Sequence, residues 1–131
     1  MSQGGSMNAK GDWIQTYTGR QFSPLDPRVE DVDIEDIAHA LSMKCRYQGH
    51  CNPFYSVAEH SVLVGRVVGR LDPSLALAAL LHDAGEAYLP DVPRPVKPLL
   101  IGFAAIEHRV EKAIAQAFGY GFPAPGVLIK G

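Results

Sequence analysis

The chain has 131 residues, 47% hydrophobic and 20% charged, with a formal net charge of −2 and a pI near 6.2. That is the length of one domain, with enough apolar material for a core and too little charge for a disordered chain. The balance excludes a broad basic face for nucleic acid, and no apolar run is long enough to span a membrane.

Residues 1–11 are rich in Gly and Ser and read as a flexible segment, with Met7 an alternative start; the domain is expected over 12–131. No signal-peptide pattern opens the chain. Trp13 to Phe22 carries β-type residues around Thr18-Gly19 and predicts a short hairpin. Ile34 to Ser42 predicts a helix capped by Asp33, with Ile34, Ile37, Ala38 and Leu41 on its inner face and His39 toward solvent or the boundary. Met43 to Phe54, broken by Gly49 and Pro53, predicts a loop or helix end. It holds Cys45 and Cys51, with His50 between them. Two cysteines are too few for a disulfide framework or a zinc knuckle, and they read as reduced thiols in a cytoplasmic protein.

Ser56 and Glu59 form a capping-box pattern opening a helix to about Arg70, with Val57, His60, Ser61 and Val64 on one face. Asp72-Pro73 predicts the start of the next helix, with Asp72 as N-cap and Pro73 in first position. Leu75 to Leu81 is an unbroken apolar run and predicts burial on nearly all sides, leading straight into His82-Asp83. Glu86 follows a turn later, and Asp91 after it. Tyr88 to Pro98 holds four prolines and predicts a stiff extended segment carrying Asp91, Arg94 and Lys97. Gly102 to Phe118 predicts an amphipathic helix stopped by Gly119. Its apolar side is Phe103, Ile106, Val110, Ile114 and Ala117, and its polar side is Glu107, Arg109, Glu111 and Lys112.

His60, His82, Asp83 and Glu86 therefore fall on two apolar helices. Ionisable groups there are costly unless paired, hydrogen-bonded or bound to metal. Two imidazoles and a carboxylate suit a divalent ion, with Mg, Mn, Fe, Co, Ni and Zn all open. Adjacent helical residues point roughly 100° apart, so His82 and Asp83 share an ion only at the helix end, with His60 as third ligand from a neighbouring helix. Glu86 is then placed to hydrogen-bond rather than to ligate.

The motifs Ala58-Glu-His-Ser61, Leu81-His-Asp-Ala-Gly-Glu86 and Pro90-Asp-Val-Pro93, with Cys45-Arg-Tyr-Gln-Gly-His50 upstream, resemble the HD-domain metal-dependent phosphohydrolases. The closest likeness is to small bacterial and phage 5′-deoxynucleotidases and deoxynucleotide triphosphohydrolases. The resemblance runs over nearly the whole chain from about residue 13. It implies an all-α, HD-type helical bundle with a small N-terminal hairpin. It implies His60, His82 and Asp83 as metal ligands and Glu86 as the acid/base or water-positioning group. Asp91 would be a second such group or hold the sugar, Arg46 would bind the phosphate, Tyr47 would pack on the nucleoside, and Lys97 would add positive charge. Gln48 and His50 are candidates for the pocket wall.

The expected activity is release of phosphate from deoxynucleoside 5′-monophosphates. The alternatives are a deoxynucleoside triphosphate triphosphohydrolase and a non-catalytic nucleotide- or partner-binding module. The expected partner is a small nucleotide, with no nucleic acid and no membrane. An uncovered apolar helix face would favour a homo-oligomer. One departure stands out: the family's fourth metal ligand is an Asp on a helix beyond Gly119, and no Asp follows Asp91. Truncation, replacement by another group and lost activity are the three readings. Val127-Leu128-Ile129, which resembles the lead-in to such a helix, favours truncation.

Overall fold

A computed structural model describes residues 12–122. Residues 1–11, read as flexible, and the Val127–Ile129 trio lie outside the described residues. The fold is all-α with one small antiparallel hairpin, β1 (Ile14–Gln15) against β2 (Gln21–Phe22), with Ile14 opposite Phe22. Four α-helices follow: α1 (Ile34–Ser42), α2 (Val57–Leu71), α3 (Ala76–Leu80) and α4 (Phe103–Phe118). No described helix is long and apolar enough to cross a membrane.

The hairpin turns at Gly19, whose φ of +92° is a conformation that side-chain-bearing residues rarely adopt. It delivers Phe22, fully buried, onto Tyr88, with ring centroids 3.8 Å apart. Asp33 caps α1 by accepting from the Glu35 amide at 2.8 Å. The inner face of α1 departs from the expected one. Ile34 is half exposed and Ala38 faces solvent, while Asp36 is buried beside Ile37 and Leu41. Asp36 faces inward because the hairpin satisfies it: its carboxylate accepts from the Thr18 amide at 2.7 Å and the Thr18 hydroxyl at 3.1 Å. His39 lies at the boundary, as expected, stacked on Tyr17.

Asp72 caps the turn Pro73–Leu75, accepting from the Ser74 amide at 3.0 Å, and the chain runs on into α3. Here the expectation of a helix buried on nearly all sides fails. The α-helix is five residues long, and Leu77 and Leu80 stay 41% and 37% exposed; only Ala78 and Ala79 are buried within it. The run is apolar because one face packs on α2. Gly65 and Gly69 bring the two backbones close, and a Cβ at Gly65 would lie 3.1 Å from Leu80 Cβ. The outer face leaves Val62, Leu63, Val67, Leu77 and Leu80 exposed. The proline segment is also not extended throughout. It turns at Pro93, whose carbonyl accepts from the Val96 and Lys97 amides at 3.0 and 3.1 Å. On α4, Val110 and Ile114 are buried as expected, joining Phe22, Ile37, Leu41, Val57, Leu81, Ala84 and Tyr88 in one core.

Because Asp36 is a buried anion satisfied by two bonds from the hairpin, Asp36→Ala should destabilise the protein by about 2 kcal/mol. Urea unfolding measures this. An unchanged midpoint would show that the hairpin is not anchored through Asp36.

Candidate metal centre

Two local features bring the three expected ligands together. The first is the capping box that opens α2. The Ser56 hydroxyl accepts from the Glu59 amide at 3.0 Å, and the Glu59 carboxylate accepts from the Ser56 amide at 2.9 Å. His60 follows one turn later on the buried face, beside Val57 and Ser61. The second is the unwinding of the chain after Leu80. Leu81 and Asp83 have ψ near 12°, outside the helical range, before a tight 3-10 turn forms over Ala84–Ala87. His82 and Asp83 are thus freed from the angular separation that a continuous helix would impose. Asp83 Oδ2 lies 3.3 Å from His82 Nε2 and 3.9 Å from His60 Nε2. One ligand atom from each residue fits within 4.8 Å of the others, and no fourth His, Cys, Asp or Glu joins them among the described residues.

The donor set fits a divalent cation. His82 Nδ1 lies 2.7 Å from the Ala79 carbonyl. A carbonyl can only accept, so Nδ1 carries a proton, and Nε2, facing Asp83, is the nitrogen placed to ligate. His60 is held below its ordinary pKa, first by burial and then by the charge of Arg46, with Asp83 opposing. It is therefore neutral at neutral pH, the form that ligates. The three groups can hold a metal ion.

Beside them lies a cleft of about 530 Å³ lined by His82, Asp83, Glu86, Asp91 and Lys97, among others. Glu86 is pushed up to about 7 by burial, then by the charges of Asp83 and Asp91. Lys97 faces the cleft but is ion-paired, its Nζ 3.2 Å from both oxygens of Glu107. Arg46 is not on the cleft wall. Its guanidinium lies 4.5 Å from the Tyr47 ring centroid and 5.8 Å from that of Tyr55, and its charge reaches both His60 and Glu86. Tyr47 is more than half exposed and packs on Arg46. Gln48 and His50 are exposed and do not line the cleft.

Three contributors were not singled out from sequence as part of the site. Lys44 donates to the Glu86 carbonyl at 2.7 Å and pins the turn that carries Glu86. Glu107 and Glu111, assigned above to the polar side of α4, are half-buried and line the cleft. Glu111 is pushed up to about 7 by burial, then by Glu107. It approaches the turn at Gly85, where a Cβ would lie 3.4 Å from Glu111 Cγ. The available signal was positional: Glu107 and Glu111 sit one turn apart, at the border of the Val110–Ile114 stripe.

No family model matches the chain. It is 39% identical over 107 residues to the uncharacterized protein YfdR of Escherichia coli K12, an alignment covering 82% of this chain and 58% of that protein. It is 40% identical over 125 residues to an uncharacterized protein of Rhodobacter capsulatus, covering 88% of this chain and 64% of that one. The chain thus spans about three-fifths of the length of these curated relatives.

A divalent ion at about a hundred-fold excess over its Kd should raise the unfolding free energy by about 2.7 kcal/mol. His60→Gln, His82→Gln and Asp83→Asn should each remove most of that gain in a titration with Mn2+ or Co2+. With chelator present, Glu111 makes stability depend on pH. Its proton is held more tightly in the fold, so stability is full below the ordinary value of 4.5 and is lost as pH rises to about 7. The loss is at most about 3 kcal/mol, and Glu111→Gln should flatten it. Identical urea midpoints for the variant and the parent at pH 5 and pH 8 would contradict this.

Proposed function

We propose that the chain is an HD-type, metal-dependent phosphohydrolase domain. Its substrate would be a deoxynucleoside 5′-monophosphate, the class that the sequence resemblance names. The observation that carries the reading is the convergence of His60, His82 and Asp83 within 4.8 Å beside a cleft lined by Glu86. A divalent ion bound there supplies Lewis acidity toward a phosphoryl oxygen.

The chain's own residues do the rest. Arg46 offers a fixed cationic fork to the phosphate, and its stack on Tyr47 holds the guanidinium in place. Glu86, with its carboxyl near neutrality, can hold or release a proton at the working pH. Lys44 keeps the Glu86 turn in register. Asp91, exposed at the cleft, is available to a sugar hydroxyl.

Charge favours the monophosphate over the triphosphate. Beyond Asp83 the cleft wall carries four carboxyls, of Glu86, Asp91, Glu107 and Glu111, against two cations, Arg94 and Lys97, the latter paired with Glu107. A triphosphate extending that way would meet like charge, whereas hydroxyl groups would find acceptors.

Purified protein with Mn2+, Co2+ or Mg2+ should release orthophosphate from deoxynucleoside monophosphates, and chelation should abolish the release. Glu86→Gln should lower kcat by about 10²-fold or more, and Arg46→Ala should lower kcat/KM by about 10-fold or more. Triphosphate released from a deoxynucleoside triphosphate would move the cut. No release of either product with any of these ions would overturn the reading.

A further inference from the structure

Cys45 and Cys51 close the base of the turn that carries Arg46. Their sulfurs are 3.4 Å apart, and neither side chain is buried. A disulfide needs about 2.05 Å, so bond formation requires a movement of little more than an ångström. The turn between them is strained: Tyr47 and Gln48 both have φ near +57°, and Gly49 continues at +84°. Its Cys45 side is the more firmly anchored. Cys45 bridges to Ser56, the Arg46 amide donates to the Tyr55 carbonyl at 2.8 Å, and Lys44 accepts from the Val57 amide at 2.9 Å. These hold the Cys45 side to the start of α2, while the Cys51 amide bonds locally to the Gly49 carbonyl and its thiol meets the Arg46 carbonyl, weakly, and the Tyr55 backbone.

We propose that Cys45 and Cys51 form a reversible dithiol–disulfide site that reacts with small-molecule disulfides, and that its oxidised form clamps the Arg46 turn. The step balances. The Cys45 thiolate attacks one sulfur of the small disulfide, forming a mixed disulfide and expelling one thiolate. The Cys51 thiolate then attacks Cys45 Sγ and expels the second. Two protein thiols are oxidised, one disulfide is reduced to two thiols, and the two cysteine protons end on the released thiols. The proposal stands whether or not the phosphohydrolase reading does, because it rests on the two sulfurs and the turn alone.

The test equilibrates the whole protein in glutathione buffers from reducing to oxidising, then alkylates free thiols and measures mass. The expected product has lost two hydrogens, resists alkylation until reduced, and yields a linked peptide pair containing residues 45 and 51. Cys45→Ser and Cys51→Ser should instead stop at a single glutathione adduct. Trypsin cleavage after Arg46 requires the turn to open, so it should be several-fold slower in the oxidised protein. Glutathione adducts on both cysteines without an internal bond, or thiols that stay reactive across the whole range, would overturn the site. An internal bond with unchanged cleavage at Arg46 would overturn the clamp.

Discussion

The hydrogen bond between His82 Nδ1 and the Ala79 carbonyl organises the centre of this protein. That carbonyl is released from regular helical pairing because α3 ends at Leu80. The carbonyl also takes the His82 amide at 3.4 Å, and the ring bond puts a proton on Nδ1 and turns Nε2 toward Asp83 and His60. Had the helix continued, His82 and Asp83 would have pointed apart. A broken helix is thus the condition for a joined site, and the buried alanines Ala78, Ala79 and Ala84 allow the chain to unwind tightly against its neighbours.

The electrostatics of the cleft follow from that geometry. Asp83, Glu86, Asp91, Glu107 and Glu111 share one cleft, and two of them, Glu86 and Glu111, are raised to about 7. Burial and mutual repulsion both disfavour their charges. Lys97 answers Glu107 and Lys44 is committed to backbone carbonyls, so neither neutralises Asp83. A divalent cation between the imidazoles and Asp83 would offset part of that negative charge.

Much of this was legible in the chain. Asp33, the Ser56–Glu59 box, Asp72-Pro73 and Gly119 mark element ends through local chemistry that tertiary context does not override. The pairing of His60 with His82-Asp83 was legible because ionisable groups in apolar stretches need a reason to be there. What was not legible depended on partners distant in sequence. Asp36 reads as a solvent residue until Thr18 arrives from the hairpin. Leu77 and Leu80 read as core because a run of apolar residues does not say how many faces are covered. Glu107 and Glu111 read as a solvated face because nothing local shows that the Ala84–Ala87 turn and the proline segment fold over them. The closeness of Cys45 and Cys51 is likewise a product of the left-handed turn at Tyr47 and Gln48, which propensity argues against.

The central claim is that one cation is shared by His60, His82 and Asp83. Crystals grown with Mn2+ or Co2+ and measured at the metal's absorption edge test it most directly. The account predicts one strong anomalous peak within about 2.0–2.2 Å of both Nε2 atoms and of an Asp83 oxygen. A peak elsewhere, or none at a saturating metal concentration, would contradict it.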